Sequence, residues 1–91
     1  MCTIDYEARH HRLRVSGRCG DDAATAIREA ISTFGRDSER LIVDLTALTS
    51  LSDEVAAAIV AAGEEVSPCR VTVVRKHGSD VDRLLSSVQS S

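Results

Sequence analysis

The sequence predicts an α/β fold, a single small domain that spans residues 1–91, with a four-stranded mixed sheet and about three helices. Alternating apolar and polar residues near the N-terminus predict an antiparallel hairpin. After residue 40, short apolar runs alternate with helical patterns, which is typical of parallel strands joined through helices. The predicted order is β-β-α-β-α-β-α, and 91 residues allow one domain of this size.

The hairpin is predicted from two period-2 segments. Apolar and polar residues alternate over residues 2–8 and again over residues 12–16. The polar residues 9–11 between them predict a turn. Gly17 and Gly20 predict a loop that leaves the second strand.

The first helix is expected to begin at Asp21 or Asp22, either of which is a suitable N-cap, and to run to about Phe34. Its apolar residues recur at spacings of three and four, so they share one face. Gly35 follows where a left-handed C-terminal cap is expected.

The centre of the chain predicts a strand–helix–strand unit. Residues 41–45 are almost continuously apolar, which predicts a central strand covered on both faces. After a loop of hydroxyl residues, Ser52, or Ser50 with Asp53 in a capping box, begins the second helix. The inward residues of this helix are Val55, Ile59, Ala62 and Val66. Residues 71–74 predict a fourth strand, parallel to the third.

The last helix is predicted from a capping box formed by Ser79 and Asp82. Its inward residues are Val81, Leu84, Leu85 and Val88. Residues 89–91 are expected to fray.

Composition limits the classes of function. The net charge of −3 and the presence of only two aromatic residues argue against a nucleic-acid partner. No segment is long and apolar enough to span a bilayer, and no secretion signal precedes the first strand, so direct membrane insertion is not expected and a cytoplasmic location is. Cys2, Cys19 and Cys69 are odd in number and widely spaced, which predicts three free thiols.

No pattern indicates an enzyme, so no catalytic residue, metal ligand or cofactor is assigned. Adjacent His10 and His11 would point to opposite sides of a strand or turn and would not share a metal ion easily. Gly17 and Gly20, and Gly78 before the last helix, do not complete a phosphate-binding motif. A cluster of arginines, most simply a solvated face, comprises Arg9, Arg12, Arg14 and Arg18.

The candidate functional region is the junction between the hydroxyl-rich loop and the second helix, residues 49–54, together with the outer face of that helix. This face is small and edged with carboxylates, so a protein partner could lie close against it. The candidate partner-binding residues are Thr49, Ser50, Ser52, Asp53, Glu54, Ala57, Ala58 and Ala61.

The junction resembles the STAS domain family, which comprises anti-sigma-factor antagonists and sulphate-transporter regulatory modules. The family pattern is an apolar strand ending in Asp-Leu-Ser, followed by Asp-Ser-Ser/Thr-Gly and an apolar helix. Residues 41–46, Leu-Ile-Val-Asp-Leu-Thr, match the strand, and Leu51 matches the aliphatic residue before the second motif. That motif is degenerate here, since it becomes Ser52-Asp53-Glu54-Val55. Asp53 therefore stands where the family phosphorylates a serine, and it has no hydroxyl to accept a phosphoryl group.

The resemblance implies a cytoplasmic bacterial transcription regulator that binds an anti-sigma factor or related kinase-fold regulator through the junction. Asp53 would be the equivalent of the phosphosite. Two alternatives stay open: an accessory STAS-like subunit of a membrane lipid transporter, and a module that binds a nucleotide or small apolar ligand. The oligomeric state is open too, a homodimer included.

Overall fold

The computed structural model describes residues 1–89, which form five strands and three α-helices. The elements in chain order are β1 (Cys2–Glu7), β2 (Arg12–Cys19), α1 (Ala24–Arg36), β3 (Arg40–Asp44), β4 (Leu48–Leu51), α2 (Asp53–Glu65), β5 (Arg70–Val74) and α3 (Asp80–Gln89). Short 3-10 turns, Ala8–His10 and Asp21–Ala23, precede β2 and α1. The predicted α/β class is confirmed, with five strands in the sheet instead of four.

The strands form one mixed sheet in the order β1-β2-β3-β5, and β4 also pairs with β2. Strands β1 and β2 are antiparallel, as the predicted hairpin requires. Strands β3 and β5 are parallel, as predicted for the strand–helix–strand unit. Strands β3 and β4 both pair with β2 in parallel, so they lie one after the other along it.

Strand β4 was not predicted, because its hydroxyl residues suggested a loop. Thr49 and Ser50 are exposed in it, whereas Leu48 is buried and Leu51 is half-buried. Its pairing with the end of β2 lengthens that strand to Cys19. Gly17, predicted to open a loop, therefore lies inside β2, with a φ of 84°.

The core lies between one face of the sheet and the helices. Helix α1 packs against β2 and β3, while α2 packs against α1 and α3. The largest fully buried side chains are Leu13, Val15, Cys19, Ile27, Ile31, Leu41, Val43, Leu45, Val55, Ile59 and Leu85. Strand β3 is central in the sheet, as predicted, but helices cover only one of its faces, and Ile42 on the other face is half-buried. The aromatic rings of Tyr6 and Phe34 stack, with centroids 3.8 Å apart.

The prediction of three free thiols is wrong, since Cys2 and Cys19 form a disulfide. Antiparallel pairing places Cys2 opposite Gly17, two residues from Cys19. The two cysteine Cα atoms are 4.8 Å apart, within the range that a disulfide can bridge. The spacing of the cysteines along the sequence does not reveal which residues of β1 and β2 lie opposite each other. Cys69 is free and buried, and burial raises the pKa of its thiol.

The termini of the helices differ from prediction in detail. Asp21 and Asp22 lie in the 3-10 turn, and no side chain caps α1. Gly35 is not a left-handed cap but a buried residue within α1, where a Cβ would lie 3.0–3.1 Å from the side chain of Val66. Close packing of α1 against the C-cap residue of α2 explains this glycine.

Ser79 acts as predicted, since its hydroxyl accepts a hydrogen bond from the Asp82 N–H at 3.1 Å. The Asp82 carboxylate does not return this bond to Ser79; it accepts from the Gly78 N–H at 2.8 Å and from Arg75. Helix α3 includes Gln89. The predicted fraying of Ser90 and Ser91 falls outside the described residues.

Candidate functional site

The junction is anchored on the end of β2. Strand β4 pairs there, with Ser50 opposite Arg18. The Thr49 hydroxyl donates a hydrogen bond to the Gly17 carbonyl at 3.0 Å, and the Ser52 N–H donates to the Cys19 carbonyl at 3.1 Å. The position of the junction is therefore determined by a strand that lies far from it in sequence.

Ser52 is the N-cap of α2. Its hydroxyl accepts a hydrogen bond from the Val55 N–H at 3.2 Å, and its carbonyl accepts from the Ala56 N–H at 3.0 Å. Ser50, the alternative cap, lies in β4 instead. Asp53 and Glu54 follow in the first turn and are exposed. The helix macrodipole favours two negative charges at this end.

The orientation of α2 agrees with the sequence prediction. Val55 and Ile59 are 0% and 1% exposed against the core. On the outer side Ala57 is exposed, while Ala58 and Ala61 are half-buried. The small side chains leave a shallow groove of about 260 Å³ between α1 and α2. Its lining residues are Ala24, Thr25, Arg28, Glu54, Ala57, Ala58 and Ala61.

Helix α1 forms the second wall of this groove, which sequence reasoning missed. Arg28 lines the groove and forms an ion pair with Glu65 of α2. The 3-10 turn that carries the exposed Asp21 and Asp22 also packs against α2. Nothing local in the sequence marks these residues, because only the tertiary packing of α1 beside α2 brings them to the site.

Asp44 holds the chain where β3 ends. Its carboxylate accepts hydrogen bonds from the Thr46 N–H at 2.9 Å and from the Thr46 hydroxyl at 2.7 Å. Arg12 and Arg14 lie 4.0 and 3.9 Å from its other oxygen. Burial raises the pKa of Asp44, but the hydrogen bonds from Thr46 and the two arginines outweigh it, so the pKa lies below its usual value. The Asp-Leu-Thr segment therefore closes a turn by its own side chains.

The remaining candidates do not form a site. His10 and His11 are exposed. Arg14 lies within 3.9 Å of the carboxylates of Glu7 and Asp44 on the helix-free face, so the arginine cluster is partly neutralised there. Within residues 1–89, no group of three or more His, Cys, Asp or Glu side chains is placed to hold a metal ion. In the same part of the chain, no helix has the length and apolar character needed to cross a membrane.

No family model matches the sequence, and no curated protein is significantly similar to it. Solved structures do match. An anti-sigma factor antagonist from Mycobacterium paratuberculosis superposes with a TM-score of 0.73 and 20% identity, over 99% of this chain and 80% of that one. The chain has the fold of the anti-sigma factor antagonists. The antagonist SpoIIAA in its unphosphorylated form gives a TM-score of 0.67 at 15% identity, over 100% of this chain and 84% of that one.

A similar fold also occurs as part of a longer chain. A structure of Mglu matches 84% of this chain with a TM-score of 0.64 and 15% identity, yet only 20% of the Mglu chain is covered. At these identities the likeness concerns the fold. The function has to be argued from the junction.

Proposed function

We propose that this protein is a cytoplasmic regulator of transcription that binds an anti-sigma factor or a related kinase-fold regulator. The partner contacts the junction and the outer face of α2. The observation that carries the proposal is the first turn of α2, where Asp53 and Glu54 are exposed beside a face of small side chains. The fold shared with anti-sigma factor antagonists supports it.

The geometry of the groove fits a protein partner better than a catalytic role. Alanine side chains allow the backbone of another chain to approach α2 closely, and they lose little conformational entropy on binding. Arg28 on one side and Glu54 at the end provide opposite charges at the rim. Charges at the rim of an interface mainly determine specificity and association rate.

Asp53 replaces the phosphorylated serine of the family with a permanent single negative charge. A phosphoserine carries about −1.5 to −2 charges, and its phosphate can be removed. Aspartate offers no hydroxyl for phosphoryl transfer. We therefore propose that the charge at Asp53 determines affinity and that this position is not phosphorylated.

The test is a calorimetric titration of wild type and Asp53→Ser against the kinase-fold anti-sigma factors of the source organism. The substitution should change the dissociation constant about tenfold or more, which is about 1.4 kcal/mol. The fold should persist, because Ser52 and not Asp53 provides the N-cap hydrogen bond. Thermal unfolding of both proteins checks this.

Arg14→Ala is the matched control, since Arg14 lies on the helix-free face of the sheet, away from the junction. Its affinity should equal that of the wild type. Equal affinities for wild type and Asp53→Ser would show that Asp53 serves only as a favourable charge at the start of α2. Loss of binding in Arg14→Ala alone would indicate that the partner binds the helix-free face of the sheet and not the junction.

A further inference from the structure

The disulfide is attached to the same residue that holds the start of α2. Cys19 is 1% exposed and bonded through sulfur to Cys2, at the start of β1. Its carbonyl accepts the Ser52 N–H at 3.1 Å. One residue therefore carries both the covalent link and the contact that positions the N-cap.

The disulfide links β1 to the segment of β2 on which β4 lies. Cys2 pairs with Gly17, and the Met1 carbonyl accepts the Arg18 N–H at 3.3 Å. On the other side of β2, Arg18 and Cys19 pair with Ser50 and Leu51. The end of β2 is thus held between the N-terminal strand and the strand that leads into the junction.

We propose that the Cys2–Cys19 pair is a redox-sensitive switch that controls the order of the first turn of α2. Its consequence for partner binding rests on the proposed function. In the cytoplasm, the location that belongs to the proposed function, a disulfide is usually transient and catalytic or redox-sensing. With the link closed the junction is preorganised, which favours binding; with the link open it loses one of its supports.

The step is thiol–disulfide exchange with a small dithiol. The thiolate of the dithiol attacks the sulfur of the half-buried Cys2, and Cys19 leaves as a thiolate that takes a proton from water. The second thiol of the reagent then displaces Cys2, so that the reagent becomes a cyclic disulfide. Two electrons and two protons pass to the protein, and a disulfide oxidant reverses the reaction. Cys69 takes no part, because it is buried elsewhere and unpaired.

The test is amide hydrogen exchange, measured by NMR on the oxidised protein and on the protein reduced with dithiothreitol. Reduction should lower the protection of the Ser52 amide about tenfold or more through local opening. The Val66 amide, which donates to the Ala62 carbonyl at the other end of α2, is the internal reference and should change much less. Cys2→Ser should reproduce the reduced pattern without reductant, and Cys69→Ser should keep the wild-type response.

Three results would overturn the switch. The first is equal protection of the Ser52 amide in the oxidised and reduced protein. The second is an equal loss of protection at the Ser52 and Val66 amides. The third is the detection of three titratable thiols in denatured protein that had been treated with oxidised glutathione. Circular dichroism checks that Cys2→Ser is folded. If this variant does not fold, the reduced wild type still provides the comparison between protein with and without the disulfide.

A titration with the anti-sigma partner separates the switch from the proposed function. Weaker binding by the reduced protein supports both. Equal binding in the two states keeps the function and contradicts the switch. Absence of binding in both states contradicts the function, while the exchange data still decide whether the disulfide controls the junction.

Discussion

Truncation of Ile59 tests whether α2 is held by its inner face. This side chain is 1% exposed and belongs to the core cluster that joins the helices to the sheet. Ile59→Ala removes three carbon atoms from the side chain and leaves a cavity in the core where these atoms were. The neighbouring residues of α2 on the outer side, which include Ala58, are not disturbed directly.

The expected loss follows from the burial. Removing a buried isoleucine side chain to the β-carbon costs about 2–5 kcal/mol, and Ile→Val about 0.5–1.5 kcal/mol. A domain of 91 residues has a total stability of about 5–14 kcal/mol at typical values per residue. Ile59→Ala should therefore remove a large share of the stability and lower the melting temperature by at least about 8 °C.

The loss of stability is measured by urea unfolding of wild type, Ile59→Val and Ile59→Ala. Circular dichroism monitors the unfolding, and the redox state is kept constant. Glu64→Ala is the control on the same helix, because Glu64 is exposed and should change the stability by less than about 0.5 kcal/mol. A loss below about 1 kcal/mol for Ile59→Ala, or an equal loss for Glu64→Ala, would show that the helix is rotated from the described orientation.

Two further predictions concern the sheet. The pKa of Asp44 is lowered in the folded state, so its contribution to stability is present above about pH 4 and is lost as the pH falls through the folded pKa. In urea unfolding, the free energy of unfolding of the wild type should exceed that of Asp44→Asn above about pH 5, and this difference should shrink towards about pH 3. A difference that stays constant with pH would contradict the prediction. Gly17→Ala should destabilise more than Gly78→Ala. Both residues have positive φ, but only at Gly17 would the Cβ meet another atom, the Met1 carbonyl oxygen at 2.0 Å. Equal losses would contradict the described close approach.

The order of the main elements could be predicted because each has a strong local pattern. Period-2 alternation identified β1 and β2, and the stripe from Val55 to Val66 identified α2 with its inner face. The outer face of α2 followed from that stripe, since a helix with one known face has a known opposite face. Residue type predicted a serine N-cap with Ser50 and Ser52 both open, and the structure has Ser52.

The remaining features depend on contacts between distant segments. Strand β4 exists because it pairs with β2, and its exposed Thr49 and Ser50 gave no strand signal. Gly35 is required by the side chain of Val66, which comes 31 positions later. The disulfide depends on the register of the hairpin, and the α1 wall of the groove depends on helix packing. No local pattern carries this information.

Under the proposed function, stability depends on the inner side of α2 and recognition on its outer side. Val55 and Ile59 are buried, so changes there should act on the fold, whereas Asp53 and Ala57 are exposed, so changes there should act on the partner. Ser52, and not Asp53, accepts the N-cap hydrogen bond from the Val55 N–H. The charge at the start of the helix can therefore change without loss of the domain, and the function proposed for Asp53 requires this. The hydrogen bond from the Ser52 N–H to the Cys19 carbonyl contributes to both roles, because it supports the fold and also positions the exposed first turn of α2.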